Sequence, residues 1–530
     1  MRDFSLPGRS LAVGRKGMAA TSHPASTLTA IDILRQGGNA IDAAVAACAV
    51  QCVVEAGSTG VGGDCFALLS IGGSDKILAY NGSGRAPAAA SAEHLRSQGL
   101  TTIERWSPHA VTVPGAVDAW TRLVSDHGRL GMAEVLAPAI ELARGGYPVS
   151  PRVAHDLAAQ HATVEKDAST RATFLVDGEA PEVGTIHYQP RLAETLEAIA
   201  RDGRNGFYRG WVAEDMVERL EAAGGMHSPD DFAEAEGEYV ETIKTSFRGY
   251  DIHECPPNGQ GMIALIILNI LSHFPGSGDP LDVNRLHVEV EATRLAYAAR
   301  QQLLADPAKV DVPVDYLLSD RLAKELAAQI DLDRAIEDLP RFNEMAHTDT
   351  VYICIVDEDR NAVSFINSIF SPYGSGIMAP KSGVLFHNRG QSFSLEAGHP
   401  NELAPGKRPM HTIIPGMVTR GGRAVMPFGV MGGHYQAMGH AHLLSKIFDY
   451  GLDLQTAIEL PRLFPLPGTN QIDIEGRLRD RVGEELVRRG FELRTPESAM
   501  GGAQAIWIDW GRGVLLGGSD TRKDGLALGI

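Results

Sequence analysis

The chain has 530 residues, 44% hydrophobic and 22% charged, the balance of a soluble globular protein with room for two ordinary domains or one large layered one. A formal charge of −18 without any dense Lys/Arg stripe argues against non-specific nucleic-acid binding. Five cysteines (Cys48, Cys52, Cys65, Cys255, Cys354) form no CxxC pair and mostly sit in apolar runs, which fits buried free thiols rather than a disulfide framework.

The opening MRDFSLPGRSLAVGRKGMAATSHP lacks the apolar core of a signal peptide, and no stretch approaches about eighteen uninterrupted apolar residues, so a cytoplasmic protein without a membrane span is expected. His23-Pro24 opens a helix through ASTLTAIDILRQ that Gly37-Gly38 stops. NAIDAAVAACAVQCVVEA is apolar nearly all round, which suits a helix buried between layers. GSTGVGGDCFALLSI then turns through glycines into a strand. A dinucleotide-binding turn would lead into a helix, so that reading is set aside. Residues 190–245 and 280–337 are expected to be helical, and PPNGQGMIALIILNIL starts another helix behind a Pro/Gly loop. The character changes at about residue 340. RFNEMAHTD is polar and aperiodic; after it TVYICIV, AVSFINS, GVLFHN, HTIIPGMV and AVMPFGV alternate as strands. Helices return at GHAHLLSKIFDY and DLQTAIEL, and QAIWIDWGRGVLLGG reads as a hairpin. Strands apolar on both faces, with helices on either side, point to stacked sheets between helical layers.

Pairing 351–356 with 362–367 across the loop 357–361 makes Val356 face Ala362, Cys354 face Ser364 and Thr350 face Ser368. Directly opposed side chains lie roughly 4.5–5.5 Å apart at Cβ, so the backbone alone delivers a second hydroxyl beside Thr350. Thr–Ser pairs are also ordinary in strands, and the pair by itself does not make a nucleophile. VMPFGVMGGHYQAMGHAHLLSKIF runs from a strand through Gly432-Gly433 into a helix. Amides there, at the positive end of a helix, can hold an oxyanion or simply form a tight turn. His434, His440 and His442 do not match a usual metal spacing. No Ser/His/Asp order is evident either. A free α-amino group, with a pKa of about 7.7–8.0, could serve Thr350 as base if Thr350 became a chain terminus.

Taken in order, ILRQGGNAIDAAVAA, TGVGGDCFALL, AVTVPGAVDAW, APAIELARGGYPV, FRGYDIHECPPNGQG, TVYICIVDEDRNAVSFINSIF, GSGI, APGKRPMHTIIP, MGGHYQ and GGSDTRKDG resemble the γ-glutamyltranspeptidase family of N-terminal-nucleophile hydrolases over nearly the whole chain. The resemblance implies an α+β fold, the four-layer αββα sandwich. It implies a precursor that cuts itself between Asp349 and Thr350. The helix-rich fragment 1–349 and the fragment 350–530 would stay together as a heterodimer, with a higher oligomer left open. It implies Thr350 as nucleophile, Ser368 where the family has a threonine hydroxyl bonded to it, and Gly432 and Gly433 as the oxyanion-hole glycines. The implied substrate is a small-molecule amide with a γ-glutamyl-like or anionic acyl group. The acyl-enzyme would be released to water or an amine, with no metal or organic cofactor.

The substrate pocket departs from the family pattern. Typical members hold the glutamyl α-carboxylate with an arginine and two serines; here Ser83 stands at the arginine position with Arg85 two residues on, and the serines are replaced by His411-Thr412. Where the α-amino group is usually held, the sequence has Phe370, Arg389 and Ser392, with Asn388 completing the candidate set. Arg389 would repel an ammonium and Phe370 offers no acceptor. An acylase or amidohydrolase for an anionic or apolar acyl group is therefore expected, although surface salt bridges account equally for Arg85 and Arg389. A conventional glutathione hydrolase or γ-glutamyl transferase, and an uncleaved inactive scaffold, are the alternatives.

Overall fold

A computed structural model of the chain describes residues 4, 5, 8–339 and 350–530, so Asp349, on one side of the expected cut, lies outside the described residues. The elements that position the site are, in chain order, α1 (Ala40–Val54), β1 (Asp64–Ser70), α2 (Gly261–Leu271), α3 (Val283–Leu303), β2 (Val351–Val356), β3 (Ala362–Ser368), β4 (Arg423–Met431) and α4 (Gln436–Phe448).

Two seven-stranded sheets stack on one another. One runs Leu526–Gly529, Met18–Thr21, β2, β3, β1, Ile77–Gly82, Glu238–Val240; the other runs Ala12–Gly14, Val514–Ser519, Gly502–Asp509, β4, Gly416–Arg420, Tyr250–Glu254, Ile243–Phe247. Neighbouring strands are antiparallel throughout both sheets. Met18, Phe66, Leu68, Tyr352, Cys354, Met417, Met431 and Ile506 fill the space between them. Helices close the outer faces. Every residue of α1 is buried, because a helix of Ala, Val, Ile and Cys is narrow enough to lie between β2–β3 and further helices. Its start is set by Asn39 and Asp42, which cap each other's backbone and contribute about 1 kcal/mol. On the other side α2, α3 and α4 pack against the second sheet. The result is the expected four-layer αββα sandwich.

Strands from before and after residue 350 are interleaved. β2 and β3 lie between Met18–Thr21 and β1, while Val514–Ser519, Gly502–Asp509, β4 and Gly416–Arg420 lie as a block between Ala12–Gly14 and Tyr250–Glu254. A break before Thr350 would leave every one of these ladders in place.

Three sequence expectations are corrected. Residues 190–245 do not stay helical: Glu238–Val240 and Ile243–Phe247 are strands, and Arg248-Gly249, both at positive φ, turn the second into Tyr250–Glu254. The run IKTSF is β-branched and aromatic, and tertiary pairing prevails over its short length. GVLFHN and HTII are buried but are not strands. Their amides go instead to irregular partners, such as Phe386 N to Ile377 O and His387 N to Gly62 O. Burial on two sides gives the same apolar alternation as a ladder, so periodicity alone cannot separate them. Among the described residues no helix is long and apolar enough to cross a membrane.

Candidate active site

β2 and β3 pair with Val351 opposite Asn367 and Val356 opposite Ala362, the register read from the sequence. β3 continues onto β1, with Ser368 opposite Asp64. Thr350, Ser368 and Asp64 therefore form a row across one sheet, all fully buried. Thr350 Oγ1 and Ser368 Oγ are 3.2 Å apart. Ser368 Oγ also accepts the Phe370 amide at 2.9 Å. Either hydroxyl of this pair can donate to the other, so Ser368 is placed where it can share a proton with Thr350 Oγ1. Phe370 reaches this geometry at φ 76°, a left-handed conformation costing a phenylalanine of order 1–3 kcal/mol. Asn388 holds the strained loop: its Oδ1 accepts the Ser371 amide and its Nδ2 donates to Ser371 Oγ and Gln391 Oε1.

The unusual pocket residues touch one another. The Arg389 guanidinium carbon lies 4.1 Å from the Phe370 ring centroid, and Nη1 donates to Thr412 Oγ1 at 2.8 Å. His411, next to Thr412, donates Nε2–H to Asp64 Oδ2 at 3.0 Å while its Nδ1 accepts the Ile413 amide. Asp64 Oδ1 takes the Gly84 and Gly115 amides at 2.9 and 3.3 Å. Burial would raise the Asp64 carboxyl, but His387, the His411 hydrogen bond and the Arg389 charge hold it well below the usual carboxylate range. Burial, with repulsion from Arg389, pushes His411 down to about 3, so the imidazole is neutral. Burial likewise lowers Arg389 to about 9, against the pull of Asp64.

β4 packs directly on the hairpin: a Cβ on Gly429 would meet the Tyr352 ring at 2.3 Å, and Ser364 Oγ donates to Phe428 O. At its end Gly432 takes φ 110° and Gly433 φ 53° before α4 begins. Gly432 O accepts the Tyr435 amide at 2.9 Å, so the Gly433 N–H on the same planar peptide points the opposite way. A side chain on Gly432 would strike Gly501 Cα at 2.8 Å, and one on Gly501 would strike Met431 O at 2.6 Å. Gln260, just before α2, ties this turn to the pocket. Its Nε2 donates to Gly433 O at 3.0 Å and Thr412 O at 2.7 Å, and its Oε1 accepts from buried Arg300 at 2.8 Å. Gly433, Gln260, Thr412, Arg389, Phe370, Ser368 and Thr350 thus form one unbroken path of contacts.

Not every candidate joins it. Arg85 is half-exposed and pairs with Glu238 and Asp306 at 3.5 and 3.7 Å. His440 and His442 bond Glu254 and Glu289, and His434 accepts from Arg300; no group of three metal-ligating side chains occurs among the described residues. Asp64, Gln260 and Arg300 were not singled out from sequence. Asp64 left a signal, a lone charge entering the apolar run CFALLSI; Gln260 in a Pro/Gly loop left none.

The family model for gamma-glutamyltranspeptidase matches residues 26–530. A glutathione hydrolase-like YwrD proenzyme of Bacillus subtilis is 36% identical, the match covering 98% of this chain and 99% of that one. An oxamate amidohydrolase proenzyme of Klebsiella pneumoniae is 35% identical over 98% and 99%. A cephalosporin acylase crystal structure from Bacillus halodurans superimposes with a TM-score of 0.93 at 38% identity, covering 100% of this chain and 99% of that one.

Proposed function

The chain belongs to the gamma-glutamyltranspeptidase family, and on that premise we propose that it is a self-cleaving amidohydrolase with Thr350 as nucleophile. In maturation Thr350 Oγ attacks the carbonyl of Asp349. The peptide C–N bond breaks, its nitrogen becomes the Thr350 α-amine, and water hydrolyses the resulting ester. Fragments 1–349 and 350–530 remain one folded unit through their shared sheets. In turnover the α-amine takes the Oγ proton as Oγ adds to the substrate amide carbon. The Gly432 and Gly433 amides hold the oxyanion, and the proton passes to the leaving amine as the C–N bond breaks. Water then releases the acid and restores Oγ–H; an amine in its place gives transfer. Electrostatic donors of this kind are worth about 3 kcal/mol each.

The observation that supports the reading is the buried hydrogen-bonded chain linking the Phe370 amide, Ser368 Oγ and Thr350 Oγ1. The relatives named amidohydrolase and acylase support acyl groups other than γ-glutamyl, while the glutathione hydrolase-like relative supports γ-glutamyl chemistry. Release of glutamate from glutathione, accelerated by a dipeptide acceptor, would favour the latter.

Intact-mass measurement tests the proposal. Purified protein should give two fragments meeting at Asp349/Thr350, and Thr350→Ala one species of 56.7 kDa without activity. A wild-type chain that stays whole yet hydrolyses amides would overturn it.

A further inference from the structure

Arg389 is 0% exposed, yet only one of its guanidinium nitrogens is bonded. Nη1 goes to Thr412; Nε and Nη2 have no hydrogen-bond partner, and among the described residues the group makes no ion pair. A buried guanidinium left in this state is costly, and in folded proteins such groups are almost always paired. Its orientation is nevertheless fixed: Thr412 holds one end and the Phe370 ring lies under its face. Nε and Nη2 make up one edge of a planar fork, whose parallel N–H groups match the two oxygens of a carboxylate.

The charge of Arg389 repels an ammonium, and the ring and carboxylate among these residues are already engaged. The face of Phe370 is already taken by Arg389. Asp64 has Oδ1 occupied by two backbone amides and Oδ2 by His411. The pocket is joined to the nucleophile by a single residue, since Phe370 both stacks on Arg389 and donates its amide to Ser368. Arg85, the other sequence candidate, has its own carboxylates.

We infer that the unpaired edge of Arg389 receives a carboxylate on the acyl part of the substrate, which makes the substrates monoamides of dicarboxylic acids lacking an α-ammonium. This deepens the amidohydrolase reading and rests on it. Hydrolysis then yields a free dicarboxylate, and the product occupies the same fork.

Calorimetric titration of the wild-type protein with oxalate, succinate and glutarate, beside butyrate and L-glutamate, tests this. At least one dicarboxylate should bind about tenfold or more tightly than butyrate and L-glutamate, because only it satisfies the fork without bringing an ammonium. Arg389→Met should weaken that binding by about a hundredfold. Arg389→Lys, which keeps the charge and loses the fork, should also lose most of it. Should the methionine variant not fold, the lysine variant and Thr412→Val carry the comparison. Glutaryl-p-nitroanilide should be cleaved faster than γ-glutamyl-p-nitroanilide. Equal or tighter binding of L-glutamate, or dicarboxylate affinity unchanged in the Arg389 variants, overturns the inference. An uncut chain that still binds dicarboxylates through Arg389 would instead sink the amidohydrolase reading and leave the anion site standing.

Discussion

Ser368 Oγ lies 3.2 Å from Thr350 Oγ1, the oxygen proposed to react. The Phe370 amide fills one side of Ser368 Oγ, and Thr350 Oγ1 lies on another. Ser368→Ala should lower kcat by about ten- to a hundredfold, the worth of one hydrogen bond to a charged group, with KM little changed. Ser368→Thr should keep most of the rate; single-turnover kinetics on mature protein checks both. This pair was legible in the sequence because register in a short hairpin is arithmetic. The state of Arg389 was not. A sequence places an arginine in a pocket but does not say whether carboxylates pair with it there, and Arg85 and Arg389 looked alike until their partners were known. The replacements at 370, 389, 411 and 412 also make sense only together, since each touches another or the otherwise unremarked Asp64.

At the level of elements, helices and the β2–β3 hairpin followed from periodicity and capping, as with Asn39 ahead of α1. Segments whose backbone bonds scatter, such as GVLFHN, did not. Gln260 shows why loops carry so much that sequence leaves silent. Its side chain uses both amide protons and its oxygen to join the turn after β4, the segment at Thr412 and α3. Gln260→Leu would remove one hydrogen bond each from Thr412 O, Gly433 O and Arg300 Nη1; Gly433 O keeps the Gln436 amide and Arg300 Nη1 keeps His434, while Thr412 O loses its side-chain donor in the interior, a loss of about 1–3 kcal/mol. We expect kcat to fall and dicarboxylate affinity to fall with it, because both halves of the site share the clamp. Denaturant unfolding together with calorimetry on the variant separates this from a stability effect alone.

Across the whole molecule, buried imidazoles set the acid limit. Burial lowers His23, His227 and His253 to about 4 and His411 to about 3. Between roughly pH 6.5 and 4 the unfolded chain binds protons that the folded one refuses, so stability falls on acidification by up to about 1.4 kcal/mol per pH unit for each. The thermal midpoint should therefore drop from pH 7 to pH 5, and His227→Asn should make the drop shallower. The interleaved sheets carry a different consequence for a chain that is cut after folding. Assembly of the uncut chain is intramolecular; after the proposed cut, reassembly would require two polypeptides to find each other and insert their blocks of strands into shared sheets. If the proposed cut is made, denaturation of the two-fragment form becomes a one-way exit, and its working lifetime is governed by the rate of opening rather than by an equilibrium.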